Sequence, residues 1–163
     1  SVGRLDALAV RRLRSALRRQ ALVDDPEDLR RGSELLAAAL AVPGGFAMLE
    51  PRPEVRAAER VAALLHAAVA DARAGRSAEE LLWTVWSGSG LERAWGTAAQ
   101  GAGLAADEAN RHLDSVLALF EAAKRAAERD PRAPAARFVA EWTGAQVDED
   151  SLAPRASLAR TVR

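Results

Sequence analysis

Residues 77–95 read SAEELLWTVWSGSGLERAW, a stretch that combines a helix start, a helical repeat of apolar side chains and a break. Ser77 and Glu80 fit the capping box, in which a serine and a glutamate three residues later accept hydrogen bonds from each other's backbone N–H groups. Apolar side chains recur at helical spacing on both sides of residues 87–90: Leu82, Val85, Trp86, Leu91, Ala94 and Trp95. The pattern predicts two short helices joined by a turn at residues 87–90.

Nearly every other segment also carries helical rather than alternating periodicity, and β-branched residues are sparse. The longer predicted helices run from about Val2 to Gln20, Pro53 to Ala74, Ala105 to Arg129 and Pro134 to Thr143, with Gly144 ending the last one. Two short helices are predicted to start at Asp24 and at Ser33. We therefore predict an all-α fold, in which residues 1–163 form a single compact bundle of about six to eight helices.

The bulk composition limits the classes of protein and site that this chain can represent. Lys plus Arg and Asp plus Glu number 23 each, so the formal net charge is zero and any attraction to nucleic acid must be local. The absence of cysteine excludes disulfides, thiolate catalysis and cysteine-ligated metals. No stretch approaches the ~20 apolar residues of a membrane span, and arginines interrupt the place of a signal peptide's apolar region, so we expect a cytoplasmic protein without membrane contact.

The densest cationic surface is predicted on the polar side of the first helix. Its candidate DNA-binding residues are Arg11, Arg12, Arg14, Arg18 and Arg19. Several arginines on one helix face can contact the phosphates of a duplex. The alternative is a solvated helix surface, which is favoured by the four acidic residues that follow within residues 24–28.

Three of the four tryptophans lie within residues 83–95, where they could serve as a base-stacking platform or as core anchors. Base stacking needs exposed rings interleaved with cations, and residues 77–92 contain no arginine. We therefore expect burial, with Trp86 and Trp95 turned inward. Trp83 falls off the main apolar stripe and is the ring predicted to reach the surface or a partner protein.

The sequence offers little for catalysis. A phosphate-binding loop needs clustered glycines and a lysine, and Lys124, the only lysine, has no glycine nearby. His66 and His112 fall near the polar edges of predicted helices, and neither has a second histidine at ligand spacing. The acidic residues 148–150 are predicted to lie in a solvated tail. We expect no cofactor, no metal and no enzymatic activity in this chain alone.

Residues 77–95, together with HLDSVLALFEAA at residues 112–123, resemble actinobacterial UvrD/Rep-like superfamily 1 DNA helicases, most of all the AdnA-type helicase–nuclease branch. LAVRRLRSALRR at residues 8–19 and DSLAPRASLARTVR at residues 150–163 are similar to the flanks of the subdomain called 2B in that family. The resemblance spans nearly the whole chain. It implies an all-helical insertion in the second RecA-like domain, placed between helicase motifs IV and V, neither of which is present here.

The role that this resemblance implies is mechanical. ATP and Mg²⁺ would belong to the parent helicase, whereas 2B rotates against the motor core, touches duplex DNA and restrains unwinding. The expected partners are the motor domains of the same parent protein, duplex DNA and a helicase–nuclease partner subunit. Better-known members contact the duplex through a Gly-Ile-Gly turn, and this chain has Ser1-Val2-Gly3 at the matching place.

Two hypotheses follow for the chain. The leading one is an accessory, noncatalytic 2B subdomain of an ATP-dependent DNA helicase that acts in DNA unwinding and repair. The alternative is a helical protein–protein interaction module that docks on a partner subunit through the surface around Trp83, without direct DNA contact. Binding of free duplex at low salt would distinguish the two.

Overall fold

Seven α-helices and no β-strands make up residues 5–152, the part of the chain that the computed structural model describes. The helices are α1 (Ala7–Asp24), α2 (Gly32–Ala41), α3 (Pro53–Arg73), α4 (Ala78–Ser89), α5 (Leu91–Ala99), α6 (Leu104–Arg129) and α7 (Ala135–Leu152). The prediction of a compact all-α fold is confirmed. That residues 1–163 form a single domain stays a prediction.

The buried side chains form two clusters. The first joins α1, α2, the segment after α2 and the N-terminal half of α3, through Leu13, Leu17, Ala21, Leu35, Ala39, Phe46, Val55, Ala58 and Ala62. The second joins the C-terminal half of α3 to α4, α6 and α7, through Ala68, Ala78, Leu81, Ala123 and Ala135. Many of these residues are alanine, whose small side chain lets neighbouring helices pack closely.

Helix α3 belongs to both clusters and runs through the centre of the molecule. Its 21 residues span about 31 Å at the helical rise. Pro53 stands at the first helical position, where its missing N–H group has no intrahelical partner to lose. The predicted helix from Pro53 to about Ala74 is confirmed, as is the long helix α6.

The junction of α4 and α5 differs from the predicted turn at residues 87–90, because α4 continues through Ser89. The hydroxyls of Ser87 and Ser89 donate hydrogen bonds of 2.7 Å to the carbonyls of Trp83 and Trp86, so neither serine breaks the helix. Gly90 alone makes the turn, with a φ of +70° that favours glycine. The capping box at the start of α4 is confirmed.

Gly88 lies within α4 and serves helix packing rather than a turn. A Cβ atom at this position would lie 2.6 Å from Cδ1 of Leu64 on α3. Leu64 therefore occupies space that any larger residue at position 88 would need. The glycine allows α3 and α4 to lie close together at this point.

The predicted helix start at Asp24 is wrong, because Asp24 ends α1 and residues 25–31 are not helical. Aspartate oxygens here accept backbone hydrogen bonds two residues on: Asp25 from the N–H of Glu27 (3.0 Å) and Asp28 from the N–H of Arg30 (2.7 Å). Such turns use the same residues that begin helices. The helix predicted from Ser33 is present as α2, which starts one residue earlier.

The two outer helices also differ from the predicted bounds. The predicted start of the first helix at Val2 lies outside the described residues, and α1 begins at Ala7, where Oδ1 of Asp6 accepts a 2.7 Å hydrogen bond from the N–H of Ala9. Gly144 does not end α7, which continues to Leu152. A glycine inside a helix costs only about 1 kcal/mol relative to alanine, which does not suffice to stop it. The backbone of residues 148–150 is thus helical rather than a loop.

Candidate functional site

The five predicted DNA-binding arginines do not all line the same surface groove. Arg11, Arg12 and Arg19 line an open groove between α1 and the segment of residues 48–55. The remaining two, Arg14 and Arg18, lie toward α2 and the segment that precedes it. Gly32 packs so closely against Arg14 that a Cβ atom there would be 3.0 Å from the Arg14 carbonyl oxygen. The structure therefore brings three of the five residues together.

Four of these arginines carry uncompensated charge. Arg11, Arg12, Arg14 and Arg19 are exposed, and none of them forms an ion pair with any residue in the described part of the chain. The fifth, Arg18, places Nη1 at 3.7 Å from Oδ1 of Asp28, and about a third of its side chain is exposed. The unpaired positive charge of α1 therefore lies on the other four arginines and not on Arg18.

Asp28 is the buried acid that offsets Arg18, and it lies in the segment between α1 and α2. Its side chain is 5% exposed, and Arg30 donates to its carboxylate from Nε (3.0 Å) and Nη2 (2.6 Å). These side-chain hydrogen bonds, followed by the one from the Arg30 backbone N–H, hold the pKa of Asp28 below its ordinary value. Asp28 is therefore ionised at neutral pH and held against the base of α1.

The groove beside α1 also contains apolar and acidic groups. Leu8, Val23 and Met48 are exposed within it, Val23 and Met48 to about three quarters of their surface (76% and 74%). Glu50 on the opposite side pairs with Arg52 at 2.8 Å. The groove thus combines three guanidinium groups, which have no ion pair among the described residues, with exposed apolar side chains and a paired carboxylate.

Two further cations near this groove, Arg56 and Arg60, were missed by reasoning from the sequence. Arg56 of α3 is exposed and lines a smaller depression together with Arg12, where the N-terminal ends of α1 and α3 meet. It lies 44 residues from Arg12 along the chain, so no local pattern joins the two. The signal that could have found both is the four-residue spacing of Arg52, Arg56 and Arg60, which places arginines along one face at the start of the predicted helix from Pro53.

Of the three clustered tryptophans, Trp86 and Trp95 lie nearer to the surface than predicted. Trp83 is 60% exposed, in line with the prediction that this ring reaches the surface. Trp86 and Trp95 are only partly buried and pack on each other with ring centroids 5.8 Å apart. The prediction that these rings anchor the core is therefore wrong in part, because alanine, leucine and Phe46 fill the buried clusters instead.

Trp83 belongs to an apolar groove between α4 and α6. The groove is lined by Trp83, Trp86, Leu113, Val116, Leu117 and Phe120, with Arg76, Glu79 and Glu80 near the N-terminal end of α4. The ring of Trp83 meets that of Phe120 edge-on, with centroids 6.4 Å apart. Leu117, opposite, is 61% exposed. Two large apolar side chains on different helices thus face solvent across the same groove.

The two histidines differ in their surroundings. His112 stacks on Trp95 with centroids 4.8 Å apart and lies 3.6 Å from Glu108. Nε2 of His66 is buried without a hydrogen-bond partner among the described residues. Over the same residues, no three His, Asp or Glu side chains gather as ligands for a metal ion.

Across residues 5–152, no helix combines the length and apolar character that crossing a bilayer requires. Comparisons with protein-family models, with curated proteins and with solved structures each find no match to this chain.

Proposed function

We propose that this chain is a noncatalytic accessory module of a cytoplasmic, UvrD/Rep-like ATP-dependent DNA helicase, in the role of its 2B subdomain. In this role it contacts duplex DNA or the motor core during unwinding and repair. ATP and Mg²⁺ act in the parent helicase, whose motor domains and helicase–nuclease partner subunit are its protein partners. The observation that carries the proposal is the set of exposed, unpaired arginines on α1.

Arg11, Arg12 and Arg19 are suited to phosphates rather than to bases. Each guanidinium is a fixed cation with several donors, and phosphate contacts fix the position of a duplex without reading its sequence. Arg12 and Arg19 stand seven residues apart, about 10.5 Å along the helix. Contact with a duplex across α1 would therefore be independent of sequence, as expected for a module that holds DNA while a motor moves it.

The test is the salt dependence of duplex binding by the chain and by a triple variant, Arg11→Ala, Arg12→Ala and Arg19→Ala. The slope of log affinity against log salt is negative, and each lost phosphate contact reduces its magnitude by about 0.9. The slope of the triple variant should therefore be smaller in magnitude by about 2.7. Fluorescence anisotropy of a labelled duplex at about 50–200 mM salt measures both slopes.

The matched control removes the same number of exposed charges that are unpaired among the described residues, through Arg111→Ala, Lys124→Ala and Arg129→Ala on α6. It should leave the slope close to that of the unchanged chain. An equal loss in the two variants would mean that only net charge matters, and no loss in either would remove the proposed DNA contact from α1.

A second candidate function is supported by the exposure of Trp83: docking on a partner protein without direct DNA contact. A largely exposed tryptophan beside exposed leucine is typical of protein interfaces, where tryptophan is enriched among the residues that contribute most affinity. Absence of any duplex binding at low salt, together with Trp83-dependent binding of a protein segment, would favour this function over the first.

A further inference from the structure

The groove between α4 and α6 has the geometry of a helix-binding site. On α6, Leu113, Val116, Leu117 and Phe120 follow the i, i+3, i+4, i+7 spacing that places side chains in one row. Phe120 of this row already packs on Trp83 of α4, whereas Leu117 is 61% exposed, so the row is only partly covered by the protein's own helices. Seven residues of α6 cover about 10.5 Å, which corresponds to two turns of a bound helix.

The walls of the groove are held in place before any ligand arrives. Phe120 supports Trp83 edge-on, and Trp86 packs on Trp95, which in turn stacks on His112. The hydroxyl of Thr84, which also lines the groove, donates a hydrogen bond to Asp71 of α3 and ties α4 to the body of the protein. A preformed apolar site loses less conformational entropy on binding than one that must be ordered.

The charge at one end of the groove is acidic. Arg76 and Glu80 line that end, but Arg76 is bound to Asp71 at 2.9 Å, and Glu80 accepts a 2.8 Å hydrogen bond from the N–H of Ser77. Glu79 is exposed and has no ion pair with any residue between positions 5 and 144. One uncompensated carboxylate therefore stands at the end of the groove nearest Trp83.

We propose that this groove binds an amphipathic helix of a partner protein, with apolar residues at i, i+3 or i+4, and i+7, and a lysine or arginine at the end next to Glu79. The inference rests on the interaction role proposed above for Trp83 and gives that role a ligand class. Nucleic acid is a poor occupant, because the only cation among the described residues that line this groove, Arg76, is paired with Asp71, while the carboxylate of Glu79 is unpaired. The basic end fixes which way the helix lies in the groove.

The experiment uses a displayed library of 14-residue peptides on one helical template, with fixed leucines at the three apolar positions and randomised polar positions. Peptides selected on the full chain are synthesised, and their Kd is measured for the chain and for three variants. Trp83→Ala should weaken binding about 30-fold. Glu79→Lys should weaken it about 5-fold, and the selected peptides should carry a lysine or arginine at one end.

The matched control is Trp142→Ala, which removes another exposed tryptophan, on α7 and outside the groove, and should leave the Kd unchanged. Circular dichroism confirms that each variant keeps its helical content. Peptides that need Trp83 but show no basic end and no response to Glu79→Lys would overturn this inference while leaving the interaction role standing. Peptides that bind Trp83→Ala equally well, or the absence of any selected binder, would overturn both. A Trp83-dependent dimer of the chain would assign the groove to a second copy instead.

Discussion

Asp28 and Arg30, two residues apart in the segment between α1 and α2, form a side-chain pair in which the guanidinium donates to the carboxylate through both Nε and Nη2. The carboxylate also accepts the backbone N–H of Arg30 and lies near Arg18 of α1. One buried acid thus fixes the path of this segment and the position of a residue on the neighbouring helix.

Replacing Asp28 by asparagine should destabilise the fold in a pH-dependent way. Because the pKa of Asp28 is lowered in the folded state, its stabilising contribution is present above the pKa of about 3.9 that an unfolded aspartate has, and is lost as the pH falls through the lower folded value. Thermal unfolding followed by circular dichroism should show Asp28→Asn melting below the unchanged chain at pH 7. The two should converge under strongly acidic conditions. A difference that stayed constant down to the lowest pH would contradict this account.

The arginines of α1 that line the groove should differ from Arg14 and Arg18 in their effect on DNA binding. Removing Arg14 and Arg18 together should change the salt slope of duplex binding by no more than about 0.9, the value for one phosphate contact, because Arg18 already faces Asp28 and only Arg14 carries a free charge. Removing Arg11 and Arg12 should change it by about 1.8. Anisotropy titrations over the same salt range as the triple variant measure both. Equal slopes for the two double variants would mean that the division of these residues has no bearing on DNA.

Phe46 should be a main contributor to stability although it lies outside any helix. It is 2% exposed and belongs to the first buried cluster. Phe46→Ala should lower the free energy of unfolding by about 3–5 kcal/mol, through lost burial and the cavity that remains. Met48→Ala, two residues away and 74% exposed, is the matched control and should change it by less than about 0.5 kcal/mol. Urea denaturation gives both values, and similar costs for the two would disprove the core position of Phe46.

Gly88 and Gly96 should respond differently to alanine although both lie within helices. Nothing lies within 4 Å of a Cβ atom at Gly96, so Gly96→Ala should stabilise by up to about 1 kcal/mol through helix propensity. Gly88→Ala forces Leu64 to move, so its change in the free energy of unfolding should be less favourable than that of Gly96→Ala by about 1–3 kcal/mol. A double-mutant cycle with Leu64→Ala should remove this difference. Persistence of the difference without Leu64 would place its cause elsewhere.

The helices that the sequence predicts most accurately are those with long periodic stripes and definite ends. Helix α3 begins at a proline, and both α3 and α6 repeat apolar residues over more than five turns. At Asp24 and at residues 87–90 the local signals are ambiguous in physical terms. An aspartate before proline favours a helix start and a turn alike, and a serine hydroxyl can be satisfied by the helix that it appears to interrupt.

The exposure and pairing of surface residues depend on tertiary contacts more than the positions of the helices do. The exposure of Trp83 was predictable because the residue falls off its helix's apolar stripe. The partial exposure of Trp86 and Trp95 was not, because it depends on how α4, α5 and α6 pack together, with Trp86 on Trp95 and Trp95 on His112. The role of Arg18 depends on Asp28, and the nearness of Arg56 to Arg12 depends on how α1 crosses α3.

The groove between α1 and residues 48–55 and the groove between α4 and α6 lie in different halves of the molecule, each beside its own buried cluster. The first belongs to the half around the Pro53 end of α3, and the second to the half around its Arg73 end. Because they share no lining residue, a ligand in one groove would not use the side chains of the other. A nucleic acid and a protein segment would therefore not compete for the same residues of this chain.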